Sequence, residues 1–270
     1  MKVHTYRFSV DDNILFLKDL HKSDYNSIFE QPYLSFWKKM HDTYNTKIQF
    51  NIHGTIDGFT LENLSAKYKP EWIQNSDWIR LVFHQWEEPD RHFSNAEMNP
   101  EKIKTDYKRV TSQIIRFAGE KLTSPYITVH GASGGKEVCA ALKECGVKGL
   151  GAGTWKLPGG EYNMSYYLSQ GQINELGKTG MLFDTETGLY FFSFDVILHR
   201  KSFSAEKLIF IIKQIFKNTH HWPHLEITFE EWAFTPFHRG FLSDAMKRAE
   251  LVLKFLCKNN SKAVFLEDIL

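Results

Sequence analysis

The chain has 270 residues, of which 42% are hydrophobic and 24% charged, a globular composition that excludes a disordered or coiled-coil chain. Lysine plus arginine number 33 against 32 for aspartate plus glutamate, and a net charge of +1 gives neither a nucleic-acid binder nor a basic membrane-surface protein its electrostatic footprint. No apolar run approaches the ~18 residues of a membrane span.

The start, Met-Lys-Val-His-Thr-Tyr-Arg-Phe, lacks a secretory apolar stretch, and Cys139, Cys145 and Cys257 have no paired spacing. Both features lead to the expectation of a cytoplasmic protein with reduced thiols.

The first β-rich segment, Tyr6 to Val10, runs into Asp11-Asp12-Asn13. A helical face of Tyr33, Trp37, Met40 and Tyr44 follows, and then a second strand, Lys47 to Ile52, runs into His53-Gly54. Trp78 to Phe83 is the third strand and ends at His84. Ile103, Tyr107, Val110, Ile114 and Phe117 form the next helical stripe. Tyr126 to Val129 runs into His130-Gly131, ahead of a shorter stripe of Val138, Ala141, Leu142 and Cys145. Val147 to Leu150 leads into a glycine-rich loop, and Tyr190 to Leu198 ends at His199. A helix with Leu208, Ile212, Ile215 and Phe216 on one face takes Ser204 as its N-cap. Leu225 to Phe229 runs into Glu230-Glu231-Trp232. Leu242, Ala245, Ala249 and Leu253 mark the last helix, and Ala263 to Leu266 the last strand.

Strands alternating with helices over the whole chain predict an α/β fold, a distorted (β/α)7-8 TIM-like barrel spanning residues 1–270 as a single domain. A doubly wound open sheet is the alternative. Between Gly146 and Gly188 lie 10 of the 17 glycines, and no long helix is legible there. The expectation is a glycine-rich insertion around residues 151–189 that includes a β-hairpin. Gly149-Leu150-Gly151-Ala152-Gly153 lacks the Lys-Ser/Thr ending of a phosphate loop.

In such barrels the chemistry sits on the loops at the carboxyl ends of the strands. Those ends carry Asp11, Asp12, His53, His84, His130, His199, Glu230 and Glu231. Adjacent carboxylates repel unless a cation lies between them, and here one can hold a metal while the other acts as a base. Histidine and carboxylate donors with an open position suit a divalent metal, with zinc the expected ion. Asp12 and His84 are the first candidate ligands, with His92 or His130 completing the set. His220-His221-Trp222-Pro223-His224 precedes a strand and so belongs to the opposite end of the barrel.

Phe8-Ser9-Val10-Asp11-Asp12-Asn13 resembles the first motif of the polysaccharide deacetylases, a Thr/Ser-Phe-Asp-Asp-Gly run, with Asn13 in place of the glycine. That resemblance implies a distorted (β/α) barrel that removes acetyl groups from N-acetylated sugars with a divalent metal held by one Asp and two His. It implies Asp11 as general base and Asp12 as metal ligand. The family's second motif is His-Ser/Thr-x-x-His; His84 stands at its start, but position 88 is Glu88, and His92 is the next histidine. The leaving amine needs an acid, for which His130, His199 and Glu231 are the candidates. Trp86 and Trp232 are placed to flank a sugar ring, with His199 beside the substrate.

The sequence therefore predicts a metal-dependent carbohydrate deacetylase acting on a saccharide, without nucleic-acid or membrane partners. Two alternatives stand beside it. One is a glycoside hydrolase-like barrel using Asp11 or Asp12 with Glu230 or Glu231 as an acid–base pair. The other is a non-catalytic saccharide-binding barrel with a decayed metal site.

Overall fold

A computed structural model of the chain describes residues 4–87, 99–154, 164–236 and 238–270. The elements in chain order are β1 (Thr5–Asn13), α1 (Leu15–Lys22), α2 (Pro32–Tyr44), β2 (Ile48–His53), a small hairpin of β3 (Thr55–Ile56) and β4 (Phe59–Thr60), α3 (Lys69–Gln74) and β5 (Ile79–Gln85). They continue with α4 (Pro100–Phe117), β6 (Tyr126–Ile127), α5 (Lys136–Glu144), β7 (Gly149–Ala152), α6 (Gln170–Thr179), β8 (Met181–Asp184), β9 (Leu189–Ser193) and β10 (Val196–Ile197). The last are α7 (Ala205–Lys217), β11 (His224–Glu230), α8 (Ala245–Lys258) and β12 (Lys262–Ala263). Among the described residues no helix is long and apolar enough to cross a membrane.

Strands β10-β11-β1-β2-β5 form one parallel sheet, and β6-β7-β9 form a second, with β8 antiparallel on its edge. The fold is thus mixed α/β, as expected, but among the described residues backbone pairing does not close it into a barrel. The expected single strand Tyr190 to Leu198 is where the two sheets meet. Phe194 N still bonds to Ala152 O beside β7, at 3.0 Å, whereas Asp195 N bonds to Glu226 O and Leu198 N to Thr228 O beside β11. The strand changes partners at Phe194–Asp195 and appears as β9 and β10. At the other seam, between β5 and β6, a side chain makes the connection, His84 Nδ1 bonding to Thr128 O, while Arg7 Nη1 reaches across the interior from β1 to Tyr126 O of β6 at 3.4 Å.

Strict alternation decides which residues face which way. In β1, Tyr6, Phe8 and Val10 are buried apolar residues, while Thr5, Arg7, Ser9 and Asp11 lie on the opposite face. β11 repeats the pattern with Leu225, Ile227 and Phe229 against His224, Glu226, Thr228 and Glu230. β2 does so with Ile48, Phe50 and Ile52 against Gln49, Asn51 and His53. The apolar faces pack beneath the helices. Phe8, for example, meets Trp37 of α2 at 5.1 Å between ring centroids, and each such fully buried side chain contributes roughly 1.5–3 kcal/mol. The polar faces line an interior held by its own bonds: Arg7 reaches Glu226 Oε2 from Nε at 2.8 Å and from Nη2 at 2.7 Å, with both side chains almost wholly buried.

The Gly-Leu-Gly-Ala-Gly segment contributes the strand β7. A Cβ on Gly149 would lie 2.5 Å from the Phe192 ring, and one on Gly151 would lie 2.4 Å from Thr128 Oγ1. These glycines therefore let neighbouring side chains cross the interior. Two expectations about the later chain are corrected. The insertion around 151–189 does hold a helix, α6, whose N-terminus carries a capping box of Ser169 and Gln172. The expected hairpin is there as β8 and β9. The predicted last strand, Ala263 to Leu266, shrinks to the two-residue β12, paired to Thr5 and Tyr6 at the start of β1. The Ser204 cap is as expected, accepting from Lys207 N at 3.3 Å.

Burial raises the Glu226 carboxyl, but Arg7 and His224 outweigh it and hold it below its ordinary range. A depressed folded-state value means that the pair stabilises the fold above the ordinary glutamate value of about 4.3, and that this stability is lost as pH falls through the lower folded value. Glu226→Gln leaves Arg7 buried without its counter-charge. It should cost about 3–5 kcal/mol in urea unfolding at pH 7, with the gap to wild type narrowing below pH ~4. Equal midpoints at pH 7 would contradict this role.

Candidate metal centre and active site

β1 does not end at its two aspartates. Its register with β2 slips between Val10 and Asn13, and Asp12 takes a left-handed φ of 60°. Aspartate tolerates that region better than most residues. Asn13 locks the bulge, with its Nδ2 donating to Val10 O at 2.5 Å and to Asn51 O at 3.3 Å. The slip breaks the two-residue alternation, so Asp11 and Asp12 both turn toward polar partners on neighbouring strands.

Asp11 accepts from Asn51 Nδ2 at Oδ1 and from Thr228 Oγ1 at Oδ2, the latter at 3.2 Å. Burial raises its carboxyl above the ordinary range, and the charge of Asp12 adds to the rise. Asp12 stands in a different environment. Its Oδ1 is 3.2 Å from His53 Nε2 and 3.2 Å from His84 Nε2, and its Oδ2 accepts from Trp232 Nε1 at 3.1 Å. Burial would raise this carboxyl, but the histidine contacts hold it well below the carboxylate range.

Both histidines are oriented by backbone. His53 Nδ1 bonds to Glu87 O at 2.6 Å, and His84 Nδ1 bonds to Thr128 O. A carbonyl only accepts, so each Nδ1 carries a proton. Burial lowers His53, whereas at His84 burial is outweighed by Asp12 and Asp11, which raise it. In its neutral form each ring offers an Nε2 lone pair on the Asp12 side. Three acceptor atoms on three strands thus converge within 4.8 Å of one another. With both rings neutral these atoms are all acceptors, and one carboxylate with two imidazoles suits a divalent metal. His130 lies beside this group rather than in it. Its Nε2 is 3.8 Å from Asp12 Oδ1, and its Nδ1 is 3.0 Å from Gln85 Oε1.

Glu230 and Glu231 take opposite directions, and the expected placement of the second is corrected. Glu231 does not face the interior end of the strands. Its two oxygens accept from the backbone N–H groups of Ile14, Leu15 and Phe16, each at 2.8 Å, and so cap the start of α1. Burial pushes its carboxyl up to about 7 against those bonds. Glu230 is the inward residue, in register with Asp11 and 3.2 Å from His199 Nε2 through Oε1. Burial, with Asp12 and Asp11 nearby, raises Glu230 well above the glutamate range, and burial lowers His199 to about 4.

Trp232 is an Asp12 partner, stacked on His238 at 4.1 Å. Trp86 is half-buried against Gly54, with the Arg109 guanidinium 3.4 Å from its ring centroid. His92 and Glu88 lie outside the described residues. The structure therefore brings together Asp11, Asp12, His84, His130, His199 and Trp232, and it adds His53 to the donor set. The period-two run Gln49-Asn51-His53 is the sequence signal that would have assigned His53 to the same interior face.

No protein-family model matches the chain, and no curated protein sequence does. Solved structures do. A 4-alpha-glucanotransferase from Thermococcus litoralis aligns with a TM-score of 0.61 at 12% identity, over 99% of this chain and 40% of that one. A protein described as a polysaccharide deacetylase from Mycobacterium smegmatis aligns with a TM-score of 0.53 at 12% identity, over 98% of this chain and 88% of that one. The chain thus spans well under half of the glucanotransferase and most of the deacetylase. At such identities these likenesses establish a shared fold, and that fold is the one found in polysaccharide deacetylase structures.

Asp12→Ala, His53→Ala and His84→Ala should each abolish uptake of a zinc equivalent, read by elemental analysis after dialysis, whereas His130→Ala should retain it. Trp232→Phe removes the donor to Asp12 Oδ2 and should weaken zinc binding by ~10–100-fold. Full uptake by His53→Ala would remove that residue from the donor set.

Proposed function

We propose that the protein is a metal-dependent hydrolase that removes an acetyl group from an N-acetylated saccharide. The observation that carries this reading is the division of labour between adjacent aspartates. Asp12 belongs to a group of converging acceptors, while Asp11 is bonded to Asn51 and Thr228 and stays out of that group. The shared fold with a polysaccharide deacetylase structure supports it.

In this reading Asp12, His53 and His84 hold a divalent cation, with zinc as the ion to test first. The chemistry such a cation supplies when bound is Lewis acidity toward a carbonyl oxygen and a lowered water pKa. Asp11 accepts the proton of the attacking water. A carboxylate has about four lone-pair sites, so its bonds to Asn51 and Thr228 leave room for that proton. Glu230 and His199 together form the acid. With Glu230 raised and His199 lowered, a proton shared across their 3.2 Å contact favours the carboxyl, from which it can pass to the leaving amine. His130 orients the substrate beside Asp12.

Gln85 Nε2, Thr128 Oγ1 and His199 Nδ1 are buried without a hydrogen-bond partner among the described residues. Their positions at the ends of β5, β6 and β10 suit them to meet the polar groups of a saccharide.

One observation favours a second reading. Asp11 and Glu230 are register partners on adjacent strands and so present two carboxyls from neighbouring positions, the residue types of a glycosidic acid–base pair. Chelation separates the two readings: deacetylation should stop when zinc is stripped and return on its addition, and glycosidic cleavage should not respond.

Asp11→Asn should lower deacetylation of an N-acetylglucosamine oligomer by ~10²–10⁴-fold while zinc content stays at the wild-type level. Glu230→Gln should also lose turnover. Glu231→Gln should keep turnover and instead lower unfolding stability by ~0.5–2 kcal/mol, as loss of a helix cap does. Loss of zinc in Asp11→Asn would make Asp11 a ligand and undo the assignment.

A further inference from the structure

We propose that Arg7, far down the interior from Asp12, is a positioning residue for Asp11 and acts through the side-chain amides of Gln49 and Asn51. Arg7 and Asp11 lie on the interior face of β1, and Gln49 and Asn51 on the interior face of β2. Arg7 Nη1 donates to Gln49 Oε1 at 3.2 Å, Gln49 Nε2 donates to Asn51 Oδ1 at 2.9 Å, and Asn51 Nδ2 donates to Asp11 Oδ1. Arg7, Gln49 and Asn51 are at most 1% exposed.

The direction of this chain is fixed from both ends. A guanidinium has donors only, so the Gln49 oxygen must face it. The Gln49 nitrogen then faces Asn51 and needs an acceptor there, which turns the Asn51 nitrogen toward Asp11. Reversing the amides would set N–H against guanidinium at one end and amide oxygen against carboxylate at the other. Arg7 is itself immobile. Its Nε and Nη2 hold Glu226 Oε2, Glu226 Oε1 is 2.8 Å from His224 Nε2, and His224 Nδ1 is 2.8 Å from Thr5 Oγ1.

The consequence falls on Asp11. Its Oδ1 always meets a donor, and Thr228 Oγ1 occupies Oδ2, so the plane of the carboxylate is set. It is also held away from the Asp12, His53 and His84 group, which keeps the two adjacent aspartates in separate roles. A misplacement of about 1 Å at a reacting group can cost ~10²-fold in rate, so an orienting chain of this kind has a measurable effect.

The inference rests on Asp11 being the base, so its test has one arm that needs no activity. Gln49→Glu places an acceptor-only group beside Arg7. Asn51 must then turn its nitrogen back toward position 49 and its oxygen toward Asp11. In nitrogen-edited NMR of the full chain, the Asn51 side-chain amide signals should shift strongly in Gln49→Glu and stay in place in Arg7→Lys, which keeps a donor-only cation. Should Gln49→Glu not fold, Gln49→Met breaks the chain without adding charge and should also displace the signals.

In the activity arm, Gln49→Glu should lower kcat on the N-acetylglucosamine oligomer by ~10²-fold with KM and zinc content unchanged, and should cost nothing further in an Asp11→Asn background. Unmoved Asn51 signals, or a full additional loss in the Asp11→Asn background, would overturn the proposal. Absence of any deacetylation by the wild type would overturn the reading of Asp11 as base, and the Asn51 signals would then decide the orienting chain by themselves.

Discussion

The site depends on a break in β-strand alternation at the two aspartates of β1. Successive residues of a strand point to opposite faces, so adjacent aspartates cannot share a cavity while the strand runs true. At Asp12 it does not: φ is 60° and the register with β2 slips. A left-handed residue other than glycine costs on the order of 1–3 kcal/mol and persists where its surroundings over-determine it. Asn13 supplies that constraint through Val10 O and Asn51 O, and Tyr33 OH holds Asn13 Oδ1 at 3.0 Å.

The donor residues also hold the fold together. β5 and β6 are not paired by their backbones, and the Thr128 carbonyl at that seam is satisfied by His84. His53 does the same for Glu87 O. A buried carbonyl without a partner is costly, so each imidazole is oriented by a need of the fold, and its other nitrogen is left for Asp12. Stability and site geometry are therefore coupled at the same two rings.

Three carboxyls within this small region, Asp12 buried and Asp11 and Glu230 half-buried, sit in different states. Asp12 is held low by His53 and His84, Asp11 is raised by burial with Asp12 beside it, and Glu230 is raised further by burial and by both aspartates. Environments that push neighbouring carboxyls apart in this way are how one fold provides a base and an acid at a single pH.

The sequence by itself determined the strands and the polar residues at their ends, because period-two alternation and an abrupt change to charge are local properties of the chain. Asp11, Asp12, His84, His130 and His199 were legible on that ground, and so was the placement of His221 and His224 at the opposite end. They lie there bonded to Asp195 and Glu226. His53 was legible as a strand end but not as a donor beside Asp12, because that relation spans β1, β2 and β5 and depends on a bulge no local pattern reveals. The choice between Glu230 and Glu231 was decided where β11 ends and the chain turns, since only there does α1 present its unsatisfied N–H groups to one of them. The helix α6 was hidden because its glycines weaken the helical signal that its capping box restores. Tertiary structure decided the first two, because each depends on groups distant in sequence meeting at hydrogen-bond range.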